Sequence, residues 1–77
     1  MAKWVPCKRR VFIKKLARLG FSPPEPGGHH FYMRRGTYTL AIPSNAEYSV
    51  PQLKVLMKEV EHILGRKVSL REWQSLS

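Results

Sequence analysis

The stretch Ser22-Pro23-Pro24-Glu25-Pro26-Gly27-Gly28 constrains this chain more than any other. Three prolines lack an amide donor and hold φ fixed, and two glycines weaken any regular element they enter. No long helix or strand crosses these residues. With 77 residues in all, the chain is one domain, residues 1–77, with one shallow core. A chain of this size buries roughly 60% of the surface its unfolded form exposes.

Upstream, Cys7–Phe21 reads as an amphipathic helix. Phe12, Ile13, Leu16 and Leu19 recur at helical spacing, with Ala17 beside them. Pro6 marks its start and Gly20 its C-terminal stop. Downstream, His30–Arg34 alternates, with Phe31 and Met33 on one side and His30, Tyr32 and Arg34 on the other. Arg35-Gly36 is expected as a tight turn. Thr37–Ile42 then returns with Tyr38, Leu40 and Ile42 on its apolar face. A third short strand at Gly20–Ser22 fits beside this hairpin.

The loop Pro43–Ser49 leads to the clearest helix. Ser49 and Gln52 form a capping-box pattern, Pro51 suits the first turn, and Leu53, Leu56, Met57, Val60, Ile63 and Leu64 keep helical spacing up to Gly65. Ser69 and Glu72 repeat the box before a short turn in which Trp73 is expected to pack back as a lid. The fold class is therefore α+β. The expected architecture is two helices on one face of a small antiparallel sheet, with a short C-terminal helix. That order matches the α-β-β-β-α sandwich of double-stranded-RNA-binding domains.

Charge limits the partners. Fourteen Lys and Arg against five Asp and Glu give a net charge of +9. Residues 1–38 hold nine of the basic residues and one acidic residue, hence +8; residues 39–77 hold five and four, hence +1. Such concentration points to a polyanion or an acidic protein. Lys8, Arg9 and Arg10 crowd the start of the first helix, where the macrodipole disfavours cations by about 0.3–1 kcal/mol each. An anionic partner there would offset that cost. The single Cys7 excludes an internal disulfide and a Cys-based metal cluster. No apolar run is long enough to span a membrane, and Met1–Arg10 lacks the apolar stretch of a signal peptide. A cytoplasmic protein with no membrane partner is expected.

Paired carboxylates and nucleotide-binding glycine fingerprints are missing from the sequence, which leaves histidine on a basic surface. RNA carries its own nucleophile, the 2′-OH. A ribonuclease needs only a base, cations for the phosphate, and alignment. His29 or His30 suits the base. Lys8, Arg9, Arg10, Lys14, Lys15, Arg34 and Arg35 suit the phosphate. Gly28 can offer backbone amides to an anion, and Tyr32 can stack on a base. A His29–His30 metal site is disfavoured, because strand neighbours point to opposite faces. His62 reads as structural.

These residues carry a resemblance. A basic helix ending in LARLGF (Leu16–Phe21) precedes Gly28-His29 with Phe31 and Tyr32. A strand ending in Ile42-Pro43 precedes the second helix, and SLREWQSL (Ser69–Leu76) closes the chain. The whole, from Lys8 to Leu76, resembles the HicA family of type II toxin–antitoxin toxins, small mRNA interferases. The resemblance implies a double-stranded-RNA-binding-like fold and metal-independent cleavage of mRNA without a cofactor. It also implies a HicB-type antitoxin as protein partner, and His29 as the catalytic residue. Strict alternation favours His30 on the polar face, so His30 stands as the alternative catalytic residue or substrate contact. The other function class is a non-catalytic RNA-binding module of the same fold. A third is an adaptor that meets only an acidic protein.

Overall fold

A computed structural model describes residues 3–76 of the chain. The punctuated stretch does not stay a loop. Glu25–Gly27 forms a three-residue strand, β2 once the earlier Cys7–Lys8 strand is counted as β1. It pairs antiparallel with His30–Arg35 (β3), which pairs antiparallel with Tyr38–Ile42 (β4). Proline is tolerated in β2 because of register. The two-residue turn Gly28-His29 makes Gly27 and His30 the closing hydrogen-bonded pair, so Pro26 opposite Phe31 is a non-hydrogen-bonded position. Its missing amide faces the free edge. The expected strand at Gly20–Ser22 is not formed. Ser22 nonetheless extends the ladder: its amide donates to the Arg34 carbonyl at 2.7 Å, and its Oγ accepts from the Arg34 amide at 3.1 Å.

Side-chain alternation in the hairpin runs as the sequence implied. Met33, Leu40 and Ile42 are buried, while His30, Arg34, Thr39 and Ala41 are exposed on the opposite face. The β3–β4 turn is centred on Gly36-Thr37, one residue later than expected, with Arg35 and Tyr38 as the closing pair.

The first helix, α1, covers Arg9–Arg18. It starts three residues after Pro6, because Cys7–Lys8 is drawn into a second ladder with Glu47–Tyr48 (β5). No pattern of two residues announces such a strand. The α1 N-terminus has no side-chain cap; the Arg9 amide instead donates to the Ala46 carbonyl at 2.9 Å. Val50–Leu64 forms α2 and Leu70–Ser75 forms α3. Both helices use only the forward half of the expected capping box. Ser49 accepts from the Gln52 amide, but the Gln52 side chain bonds Asn45. Ser69 accepts from the Glu72 amide, but the Glu72 carboxylate forms a two-pronged pair with Arg66 at 2.8 Å.

The buried residues make one core. Phe12 and Leu16 of α1 meet the buried face of the sheet, five residues of α2, and Trp73 of α3. Phe12 is its pivot: fully buried, with its ring centroid 5.3 Å from Tyr48, edge-on, and 5.6 Å from Trp73. Trp73 lies over α1 as the expected lid, also 6.4 Å from Trp4. The protein is thus a small compact α+β domain of three helices and two small antiparallel sheets.

Truncating Phe12 removes the ring that joins α1, β5 and α3. Phe12→Ala is expected to lower unfolding stability by about 3–5 kcal/mol. Urea denaturation followed by circular dichroism measures it; a loss below about 1 kcal/mol would show that the three elements do not share this core.

Candidate nucleic-acid interface

The two histidines sit at one end of the three-stranded sheet. His29 is the second turn residue between β2 and β3, fully outside the ladder, and exposed. Alternation therefore does not govern it, which removes the conflict over which face it shares. His30 opens β3, exposed, on the polar face with Tyr32 and Arg34. The preceding glycines each answer a local demand. Gly28 has φ of +62°, a value that favours glycine, while His29 keeps negative φ, the pattern of a type II′ turn. A Cβ on Gly27 would come within 2.7 Å of the Tyr32 ring, so that ring lies directly over the Gly27 backbone.

The polar face carries a shallow hollow of about 220 Å³ lined by Glu25, Pro26, Gly27, Tyr32, Arg34 and Thr39. Arg34 Nε is 3.5 Å from a Glu25 carboxylate oxygen, both well exposed. Tyr38, on the other face, pairs edge-on with His62, centroids 5.9 Å apart. Tyr32 and Tyr38 start from opposite faces, and both reach the groove beside the β4 edge.

The cations divide by what they touch. Arg35 donates through Nε to the Leu19 carbonyl at 3.2 Å, at the C-terminal end of α1, where a cation suits the helix dipole. Lys15 donates to the Trp73 carbonyl at 2.6 Å and stands 5.1 Å from the indole ring. These two hold the fold. Lys8, Arg10 and Lys14 are exposed, and their side chains make no hydrogen bond or ion pair with any described residue. Arg9 belongs to both groups: its Nε donates to the Pro43 carbonyl at 3.1 Å, and its guanidinium lies 5.5 Å from the centre of the Phe31 ring.

That contact brings the basic start of α1 to the end of the sheet that carries the histidine turn. Phe31 is 46% exposed, although alternation assigned it to the buried face. Ile42, directly opposite it on the same face, is fully buried, so the core covers β4 at this level but leaves Phe31 of β3 half open. Sequence reasoning missed it because a period of two reports a face and says nothing of which strand of that face the helices cover. Arg9 thus lies beside Phe31, the residue that follows His30, while Lys8 and Arg10, its neighbours in the chain, line a shallow hollow with Ala46 and Glu47. Arg34 and Tyr32 continue along the polar face, and Arg35 lies at the opposite end of β3.

Cys7 is buried, and burial pushes its thiol above the ordinary value, against an opposing pull from Lys15. That is the reverse of what a nucleophile needs. Among the described residues no group of three His, Cys, Asp or Glu side chains is placed to hold a metal ion. No family model, curated protein or solved structure matches the chain.

The raised thiol has a measurable consequence. At neutral pH, Cys7 in the folded protein is expected to react with a disulfide reagent more slowly than in urea-unfolded chain. The native rate should go on climbing above the ordinary thiol value near 8.5, where the rate of the unfolded chain levels off. Equal rates in the two states would show Cys7 to be open and unshifted.

Proposed function

We propose that the protein is a metal-independent endoribonuclease of the HicA toxin type that cleaves mRNA with His29 as its base. On this reading the helices and three-stranded sheet form a double-stranded-RNA-binding-like scaffold, extended by β1, β5 and α3. A HicB-type antitoxin would neutralise it by covering the histidine end. The observation that carries the reading is Arg9, at the basic start of α1, lying over Phe31, which directly follows the exposed His29-His30 pair.

The chemistry asks little of the protein. His29 removes the proton from a ribose 2′-OH. The 2′ oxygen bonds to the adjacent phosphorus as the bond to the 5′ oxygen breaks, and the leaving oxygen takes a proton from water. The products are a 2′,3′-cyclic phosphate and a 5′-hydroxyl end. Lys8, Arg10 and Arg9 stabilise the extra negative charge that develops on the phosphate oxygens. Lys14, Arg34 and Tyr32 extend the contact along the RNA, and the exposed Gly28 lets its backbone approach closely.

One observation favours the non-catalytic RNA-binding reading. Neither His29 nor His30 has a hydrogen-bonding partner among the described residues to fix its tautomer, as a positioned base usually has.

The two readings separate on one pair of variants. With purified protein and a labelled single-stranded RNA, His29→Ala is expected to lower the cleavage rate by about 10²–10⁴-fold while binding is kept. His30→Ala should cost far less. Expressed in cells, wild type should arrest growth and degrade mRNA, and folded His29→Ala should do neither. Binding without cleavage by the wild type would select the RNA-binding module. Binding that does not weaken with added salt would remove both RNA readings.

A further inference from the structure

The two edges of the three-stranded sheet are built differently. The β2 edge is three residues long and carries Glu25 and Pro26, with Pro24 just before it. Short length, charge and proline are the devices that keep a sheet edge from pairing further. The β4 edge has none of them. Tyr38-Thr39-Leu40-Ala41-Ile42 is regular, uncharged and free of proline.

Register fixes which groups this edge offers. The two-residue turn makes Arg35 and Tyr38 a hydrogen-bonded pair, so Met33–Leu40 and Phe31–Ile42 are hydrogen-bonded pairs as well. The same parity sends the amide and carbonyl of Arg34 to the other side, where both bond Ser22. The amides and carbonyls of Thr39 and Ala41 therefore point away from the sheet, and no described residue bonds them.

Beside this edge runs a groove of about 530 Å³, with Leu40 and Ala41 on one wall and Glu59, His62 and Ile63 of α2 on the other. Two large apolar side chains of these elements are exposed, Tyr38 at 47% and Val55 at 61%. Charge decides what fits. In β4 and α2 together, Lys54 and Lys58 balance Glu59 and Glu61, a net charge of zero, in a protein of net charge +9. An acidic partner would be drawn to α1 instead. The part of the molecule least repelled by another copy of itself is this one.

We propose that this edge pairs with the same edge of a second copy. Antiparallel pairing about Leu40 is self-complementary. Thr39 faces Ala41 of the second copy and Ala41 faces Thr39, which closes four backbone hydrogen bonds and makes one six-stranded sheet. The histidine turns and the basic starts of both α1 helices stay uncovered. The proposal is independent of any ribonuclease activity.

Sedimentation equilibrium of the full chain, from micromolar to millimolar concentration, tests it together with hydrogen exchange. The mass is expected to rise from 9.0 kDa toward twice that. Exchange at the Thr39 and Ala41 amides should slow at least ten-fold over the same range. Thr39→Pro removes an outward donor and leaves the β3 ladder intact, so it should stay at the monomer mass. A wild type that stays monomeric with fast exchange at both amides would overturn the proposal. So would a folded Thr39→Pro that still dimerises, or protection of these amides only when a different protein is added. If Thr39→Pro does not fold, exchange in the wild type decides.

Discussion

The carbonyl of Pro43 is the point on which the arrangement turns. Its oxygen accepts from the Tyr48 hydroxyl at 2.7 Å and from Arg9 Nε at 3.1 Å. A carbonyl has two lone pairs, and here both are used. Pro43 ends the β4 side of the hairpin, Tyr48 belongs to β5, and Arg9 opens α1, so three separate parts of the chain share one oxygen. Tyr48 is fully buried, and burial pushes its hydroxyl above the ordinary value, so it stays protonated and donating across the ordinary pH range. An unpaired hydroxyl there would cost about 1–3 kcal/mol. The loop between β4 and β5 is thereby held, and the Arg9 guanidinium is set over Phe31.

The same geometry explains how a helix tolerates a cationic start. One end of α1 is fastened by Arg9 to Pro43, the other by Arg35 to the Leu19 carbonyl. Ten residues of helix span about 15 Å, and the strand from Phe31 to Arg35 spans about 13 Å, so both clasps close without strain. Arg9 sits where the dipole disfavours it, yet its own amide is bonded to Ala46 and its side chain to Pro43. Part of the basic cluster is thus architecture. In that cluster, the cations with no structural partner among the described residues are Lys8, Arg10 and Lys14, a smaller set than the sequence suggested.

How much was legible follows from how each element is specified. The α2 helix has six apolar residues in period and a serine cap, so its bounds, Val50 to Leu64, were readable. The hairpin faces were readable because Met33, Leu40 and Ile42 alternate with polar residues. β2 was hidden by Pro26 and by Pro24 just before it, which propensity counts against a strand; register alone makes Pro26 harmless. β1 and β5 are two residues each and exist because Tyr48 needs a buried place, a tertiary demand with no local pattern. The candidate site was legible as a list of residue types. Which cations were already engaged, and that Phe31 was half uncovered, depended on contacts between residues far apart in the chain.

The glycine pair before the histidines shows how such a site should be weighed. Gly27-Gly28 next to His29 invites the idea of an anion cradle. Each glycine is already accounted for by structure, Gly27 by the Tyr32 ring above it and Gly28 by its positive φ. A residue that the fold requires is no independent sign of a ligand. His29, by contrast, has no structural duty: it is exposed, in a turn, and bonded to no described residue. The same holds for Lys8 and Arg10 at the start of α1. Phe31, left half uncovered beside Arg9, is likewise not used by the core. The case for chemistry at this end therefore rests on the residues that the packing does not need.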